Sequence, residues 1–126
     1  MDNGEIIMYD KNNVFAKIIR DEIPAKKIYE NEYALAIEDI NPVSSIHVLI
    51  MPKGEYIEFY DFVSRASENE QKGFWEVFRK TAEILELTKN FNTVTNSIKP
   101  PFFIQSVPHF HLHLIGGNKV IDVSEW

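Results

Sequence analysis

Apolar residues recur along the chain with two periods, and the switches between them mark out its elements. In VFAKIIRDEIPA, residues 14–25, Phe15, Ile18 and Ile19 fall at helical spacing and the run stops before Pro24, which predicts a short helix. Residues 1–12, rich in Asp, Asn and Lys, read as a loose leader before a single domain over residues 13–126. Two strand-like segments follow, residues 27–30 and 33–39, with Asn31-Glu32 between them as a hairpin turn. After the Asn41-Pro42 loop, IHVLIM (residues 46–51) reads as a buried strand ended by Pro52. Residues 56–63 are ambiguous between a short amphipathic and an irregular segment. Ser67 with Glu70 forms a capping-box signature, and Phe74, Val77, Phe78, Ala82 and Leu85 then recur at helical spacing to about Leu87. That stripe reads as a face packed on a sheet, with Trp75 at its edge. Residues 91–96 predict a strand, 97–101 a loop around Pro100-Pro101, and 104–115 a final strand that stops at Gly116-Gly117. The expected fold class is α+β: an antiparallel sheet of about five strands with one long and one short helix.

The last strand carries the chemistry. In VPHFHLHLIGG, three of the four histidines, His109, His111 and His113, alternate with Phe110, Leu112 and Leu114. Successive side chains of a strand point to opposite faces, so the imidazoles share one face and the apolar residues the other. Three buried histidines would each need a hydrogen-bond partner, which makes a purely packing role costly.

Composition narrows the setting. The net charge of -6 argues against non-specific nucleic-acid binding, while a single nucleotide or small phosphorylated metabolite stays open. With no cysteine, disulfides and thiolate-zinc sites are excluded, which fits a reducing cytosol. The opening residues lack the features of a signal peptide and no segment has the length of a membrane span, so a cytoplasmic protein without membrane contact is expected.

Alternate strand residues lie about 6.6 Å apart, so neighbouring imidazoles can flank one small anion. A central histidine whose second nitrogen donates to a carbonyl is a neutral, well-aimed nucleophile, and phosphorus is a suitable target. Ser106 could supply a nearby hydroxyl, and reads equally as a strand-edge serine. All three triad histidines span too far for one ion, but two of them with His47 could still hold one. His47 alone reads more readily as a hydrogen-bonded strand histidine.

HFHLHLI, residues 109–115, resembles the His-φ-His-φ-His-φ-φ signature of the histidine triad (HIT) superfamily, where φ is apolar. Residues 14–53 are similar to the amino-terminal half of its Hint branch, including IIRDEIPAK at 18–26 and Met51-Pro52-Lys53, so the resemblance spans most of residues 14–117. It implies a homodimer with a continuous antiparallel sheet, no cofactor, and hydrolysis of purine nucleotides joined through the α-phosphate to an amine or another leaving group. Nucleoside phosphoramidates are the implied substrates, with dinucleoside polyphosphate hydrolysis or a catalytically weak nucleotide-binding module as alternatives. By this resemblance His111 is the nucleophile that forms a nucleotidyl-histidine. His109 and His113 hold phosphate oxygens and orient it, and Ser106 contacts the phosphate or leaving group. Asp39 binds the ribose hydroxyls, Phe15, Ile18, Ile37 and Ile40 wall the base pocket, and Gln105 and Asn96 complete the substrate contacts. The chain departs from the pattern at residues 97–104, SIKPPFFI, which replace a small loop ending in glycine. Where some relatives bind zinc through a cysteine pair, it has Asn13 and Ala16, so no metal is expected although His47 and His109 persist.

Overall fold

The computed structural model describes residues 8–95 and 107–117. Their order is α1 (Val14–Ile19), β1 (Lys27–Glu30), β2 (Ala34–Glu38), β3 (Ile46–Pro52), α2 (Phe59–Arg65), α3 (Glu68–Ile84), β4 (Asn92–Thr95) and β5 (Leu112–Gly116). The strands form one five-stranded sheet in the order β1-β2-β3-β5-β4, every neighbouring pair antiparallel. No helix among the described residues is long and apolar enough to cross a membrane.

Local chemistry sets the element boundaries. Asn13 caps α1, its side-chain oxygen accepting from the Ala16 amide at 2.9 Å. Ser67 and Glu70 close both halves of the capping box on α3. The β1–β2 turn takes in Tyr33 as well as Asn31 and Glu32. Asn31 Oδ1 accepts from the amides of both Tyr33 and Ala34, at 2.8 and 2.9 Å, so β2 starts at Ala34 and not at Tyr33. The Asn31 amide also donates to the Gly73 carbonyl of α3 at 3.0 Å. A Cβ at Gly73 would lie 2.5 Å from the Tyr33 ring, so the glycine lets the helix seat on the turn. Residues 56–63 resolve into the approach to a second short helix, α2, whose Phe62 is wholly buried.

Period-two alternation divides the core. Ala34, Ala36, Val48, Ile50, Phe110, Leu112 and Leu114 face α2 and α3, where they meet Phe62, Phe74 and Val77. Leu35, Ile37, Leu49 and Met51 face the other way, against Phe15 and Ile18 of α1. The central strands are therefore apolar on both faces. The histidine strand is shorter than expected. Its ladder runs only over Leu112–Gly116, because residues 107–109 bend and the His109 amide donates to the Val107 carbonyl at 2.9 Å. Phe110 N then donates to Tyr56 O at 2.7 Å, outside the sheet.

Residues 8–12 fall in the stretch read as a loose leader, yet they are tied to the domain. Asp10 O accepts from both the backbone and side-chain nitrogens of Asn13, at 3.1 and 2.7 Å, and Arg20 donates to Lys11 O at 2.9 Å.

Candidate active site

The three triad histidines sit at the end of β5 and the bend before it, on the sheet face that carries α1. Only His113 lies in the ladder, opposite Leu49 of β3 and Val94 of β4. His111 directly precedes β5 and packs edge-on to Phe15, ring centroids 4.8 Å apart, and to His113 at 5.2 Å. His109 is wholly buried at the bend.

Hydrogen-bond partners assign the tautomers. His111 Nδ1 lies 2.7 Å from the His109 carbonyl and must carry the proton, which leaves the lone pair on Nε2. His109 Nε2 faces the Pro52 carbonyl at 2.8 Å and so is the donor there, while its Nδ1 accepts from the Tyr9 hydroxyl at 2.5 Å. The Val43 amide donates to His47 Nδ1 at 3.2 Å, which places the His47 proton on Nε2. That proton lies between His113 Nδ1, at 2.9 Å, and Asp39 Oδ2, at 3.2 Å. His113 therefore accepts at Nδ1 and carries its own proton on Nε2.

Burial pushes all four imidazoles below the ordinary histidine range. For His109 it lowers the pKa to about 4 against the opposing pull of the Pro52 carbonyl, and for His113 to about 3, helped by neighbouring His111 and His47. His111 is lowered by burial and partly restored by the His109 carbonyl and the Asp39 charge. His47 is lowered by burial although Asp39 opposes the shift, so the Asp39 contact joins a carboxylate to a neutral ring. At neutral pH the site presents an uncharged imidazole with an unprotonated Nε2.

These shifts fix a stability trend. The unfolded histidines titrate near 6.5, above the folded values of about 4 and about 3, so the unfolded chain takes up protons first as pH falls. The stabilisation is complete above about pH 7 and is lost progressively as pH falls from the unfolded pKa towards the folded values. Each of these two histidines loses about 2 kcal/mol between about pH 7.5 and about pH 5, so urea unfolding at the lower pH should give a stability lower by about 4 kcal/mol. An unchanged midpoint would show that the imidazoles are not held neutral.

His111 and His113 line a cavity of about 360 Å³. Phe15, Ile18, Ile37 and Leu49 form its apolar walls, and Asp39 stands at one side. Asp39 Oδ1 accepts from the Asn41 amide at 2.8 Å, and its side chain keeps 17% exposure. No lysine or arginine is among the described lining residues. Ile40 also lines the cavity, but at its rim, 90% exposed. The structure thus brings together Phe15, Ile18, Ile37, Ile40, Asp39, His111 and His113, while His109 supports them from behind. Ser106, Gln105 and Asn96 lie outside the described residues.

Among the described residues one group has ligand atoms close enough for a metal ion: Asp39, His47 and His113. It does not include His109, so the pair His47 and His109 is not the group that converges. The donor set also fits an ion poorly. Val43 N–H holds His47 in the tautomer that protonates Nε2, the nitrogen a metal would need. Asn13, at one position where some relatives carry a zinc cysteine, is occupied as the helix cap.

Three contributors carry no chemical signature in the sequence. Tyr9 lies 100 residues from His109, and the Pro52 and Val43 contacts are made by backbone. Leu49 was not named from the sequence, and alternation along β3 is the signal that could have placed it on the cavity face.

Comparison with known proteins places the fold and the family. The family model of the HIT domain matches residues 20–120. An uncharacterised HIT-like protein of Rickettsia prowazekii is 44% identical over 117 residues, covering 92% of this chain and 96% of the relative. Among solved structures, a histidine triad protein from Clostridium difficile superposes with a TM-score of 0.74 at 29% identity, covering 91% of this chain and 98% of the other. A HIT family hydrolase from Clostridium thermocellum gives 0.71 at 34% identity, covering 90% and 96%. With the triad set at the end of an antiparallel sheet and the domain match spanning most of its length, the chain belongs to the HIT family.

Proposed function

We propose that this chain is a nucleotide hydrolase acting at the α-phosphate, with purine nucleoside phosphoramidates as its substrate class. The observation that carries the reading is the bond from His111 Nδ1 to the His109 carbonyl, which leaves a neutral Nε2 lone pair on a ring lining an apolar cavity beside Asp39. In the first step His111 Nε2 attacks the α-phosphorus, a P–N bond forms, and the bond to the leaving amine breaks as that amine takes up a proton from solvent. Water then attacks the nucleotidyl-histidine and gives up a proton to solvent, the P–N bond to His111 breaks, and the nucleoside monophosphate is released with His111 restored.

The surroundings suit these steps. His113, protonated on Nε2 by the tautomer chain from His47, would donate to a phosphate oxygen. Both ring nitrogens of His109 are taken by Tyr9 and Pro52, so of the two roles the resemblance gives it we assign orientation of His111 and not phosphate contact. A base would sit among Phe15, Ile18, Ile37 and Leu49, with Ile40 covering its outer edge. The Asp39 carboxylate has acceptor capacity left for two vicinal ribose hydroxyls beyond its bonds to Asn41 and His47. We assign a phosphate or leaving-group contact to Ser106 and substrate contacts to Gln105 and Asn96, the reaction to the cytoplasm, and the assembly to a homodimer with a continuous sheet. The aromatic row Trp75–Phe78–Phe91, which runs from α3 to the residue before edge strand β4, supports pairing at that edge.

Asp39→Asn tests the ribose assignment. On adenosine 5′-phosphoramidate, with AMP release followed by chromatography, its KM should rise about tenfold with a smaller change in kcat, as expected for lost charge-assisted hydrogen bonds. An unchanged KM removes Asp39 from the substrate. Parallel assays on diadenosine polyphosphates separate the phosphoramidase reading from its alternative by which substrate gives the larger kcat/KM.

A further inference from the structure

We propose that Tyr9 is a positioning residue for the triad, holding His109 so that the His109 carbonyl aims the nucleophile; this rests on the function proposed above. Every polar atom of His109 has a protein partner. Its amide donates to Val107 O at 2.9 Å, its Nε2 donates to Pro52 O at 2.8 Å, its carbonyl accepts from His111 Nδ1 at 2.7 Å, and its Nδ1 accepts from the Tyr9 hydroxyl at 2.5 Å. Three of these bonds come from the strand region itself. Tyr9 alone reaches in from the N-terminal segment, and its ring stands edge-on to the imidazole with centroids 5.5 Å apart.

The segment that carries Tyr9 is held against the domain with little apolar help. The Asp10–Asn13 turn continues into the cap of α1, where Asn13 bonds Ala16. Arg20 takes the Lys11 carbonyl at 2.9 Å, and Lys11 pairs with Glu55 at 3.3 Å. Phe15, one turn on, packs against both His109 and His111. One polar turn thus sets the phenol and the aromatic wall of the nucleophile together. Because His109 Nε2 donates to the Pro52 carbonyl, Nδ1 carries the lone pair and the Tyr9 phenol is the donor to it; burial, which raises the Tyr9 pKa, keeps that proton on the oxygen. Tyr9 also lines an open cavity shared with Glu55, Glu58 and Asp61, which the wholly buried His109 does not reach. Without the phenol, the His109 ring would keep only the Pro52 bond and could rotate about it, and the carbonyl it fixes would lose its aim.

Tyr9→Phe in the full chain removes the hydroxyl and keeps the half-buried ring, so the fold survives; circular dichroism checks this. Two readouts decide the matter. By imidazole 15N NMR, His109 Nδ1 should move toward the shift of a nitrogen that accepts no bond, with His111 shifting in response. On adenosine 5′-phosphoramidate, kcat should fall roughly two- to tenfold, the range of one hydrogen bond, while KM changes less than about twofold. A ring-fluorinated tyrosine at position 9, which restores the hydroxyl, should restore both. An unmoved His109 resonance, or a shifted His109 with His111 and kcat unchanged, overturns the role of Tyr9 and leaves the proposed function standing. If the wild-type protein itself turns over no nucleotide, the proposed function fails, and the coupled His109 and His111 resonances still decide whether Tyr9 positions the triad.

Discussion

His111→Ala should lower kcat on adenosine 5′-phosphoramidate by at least about a thousandfold, while AMP still binds within about tenfold of the wild-type affinity. The asymmetry follows from where the ring sits. In the proposed binding mode the cavity walls and Asp39 would hold base and ribose, and the substitution leaves them in place. What is lost is the one lone pair that the His109 carbonyl aims, and a covalent route has no substitute for its nucleophile. Steady-state kinetics and calorimetry on the same preparation separate the two terms. Loss of binding in step with kcat would mean that His111 is a wall of the pocket and not its reacting group.

Phe110→Ala should destabilise the domain by about 3–5 kcal/mol, a large part of the stability of any single domain. Phe110 is wholly buried; its ring stacks on Phe59 at 5.1 Å and Phe62 at 5.4 Å and lies tilted against Phe74 at 5.5 Å. It is the apolar counterweight to the two histidines that flank it: the ring that locks into the helix layer is what turns His109 and His111 to the opposite face. Urea titration should show a lower midpoint with the slope unchanged. A loss below about 1 kcal/mol would mean that neighbouring rings close the void and that Phe110 does not fix the alternation.

The fold was legible wherever one local signal coincided with burial. Ser67 and Glu70 announced α3, and the apolar run of residues 46–51 announced a buried strand, which the structure carries one residue further, through Pro52. Alternation around the histidines assigned faces correctly even though the ladder covers only Leu112–Gly116, because side-chain direction persists through the two extended residues before it. The bend at residues 107–109 was missed although Pro108, which has no N–H to give a ladder, stands at its centre. It is made by a backbone bond from His109 to Val107 and by Phe110 pairing with Tyr56, and backbone partners leave no residue-type pattern. The helix at Phe59–Arg65 was ambiguous because its seven residues are too few for a period to emerge, and Asp61, bonded to the Ile57 amide and to Arg65, settles it.

The site divides in the same way. Asp39, Phe15, Ile18 and Ile37 could be named from a resemblance because their chemistry is written in their side chains. Their supports could not. Val43 sets the tautomer of His47 through an amide, Pro52 holds His109 through a carbonyl, and Tyr9 comes from a polar stretch that read as a leader.

The central claim is that His111 is the group that bonds to phosphorus. Rapid acid- or base-quench of the wild-type protein mixed with adenosine 5′-phosphoramidate, followed by intact-mass and peptide analysis, tests it directly. An adenylyl adduct is expected on the peptide that holds residues 109–113, assigned to His111 and absent from His111→Ala. Turnover with no adduct at any quench time, or an adduct that survives in His111→Ala, would contradict it.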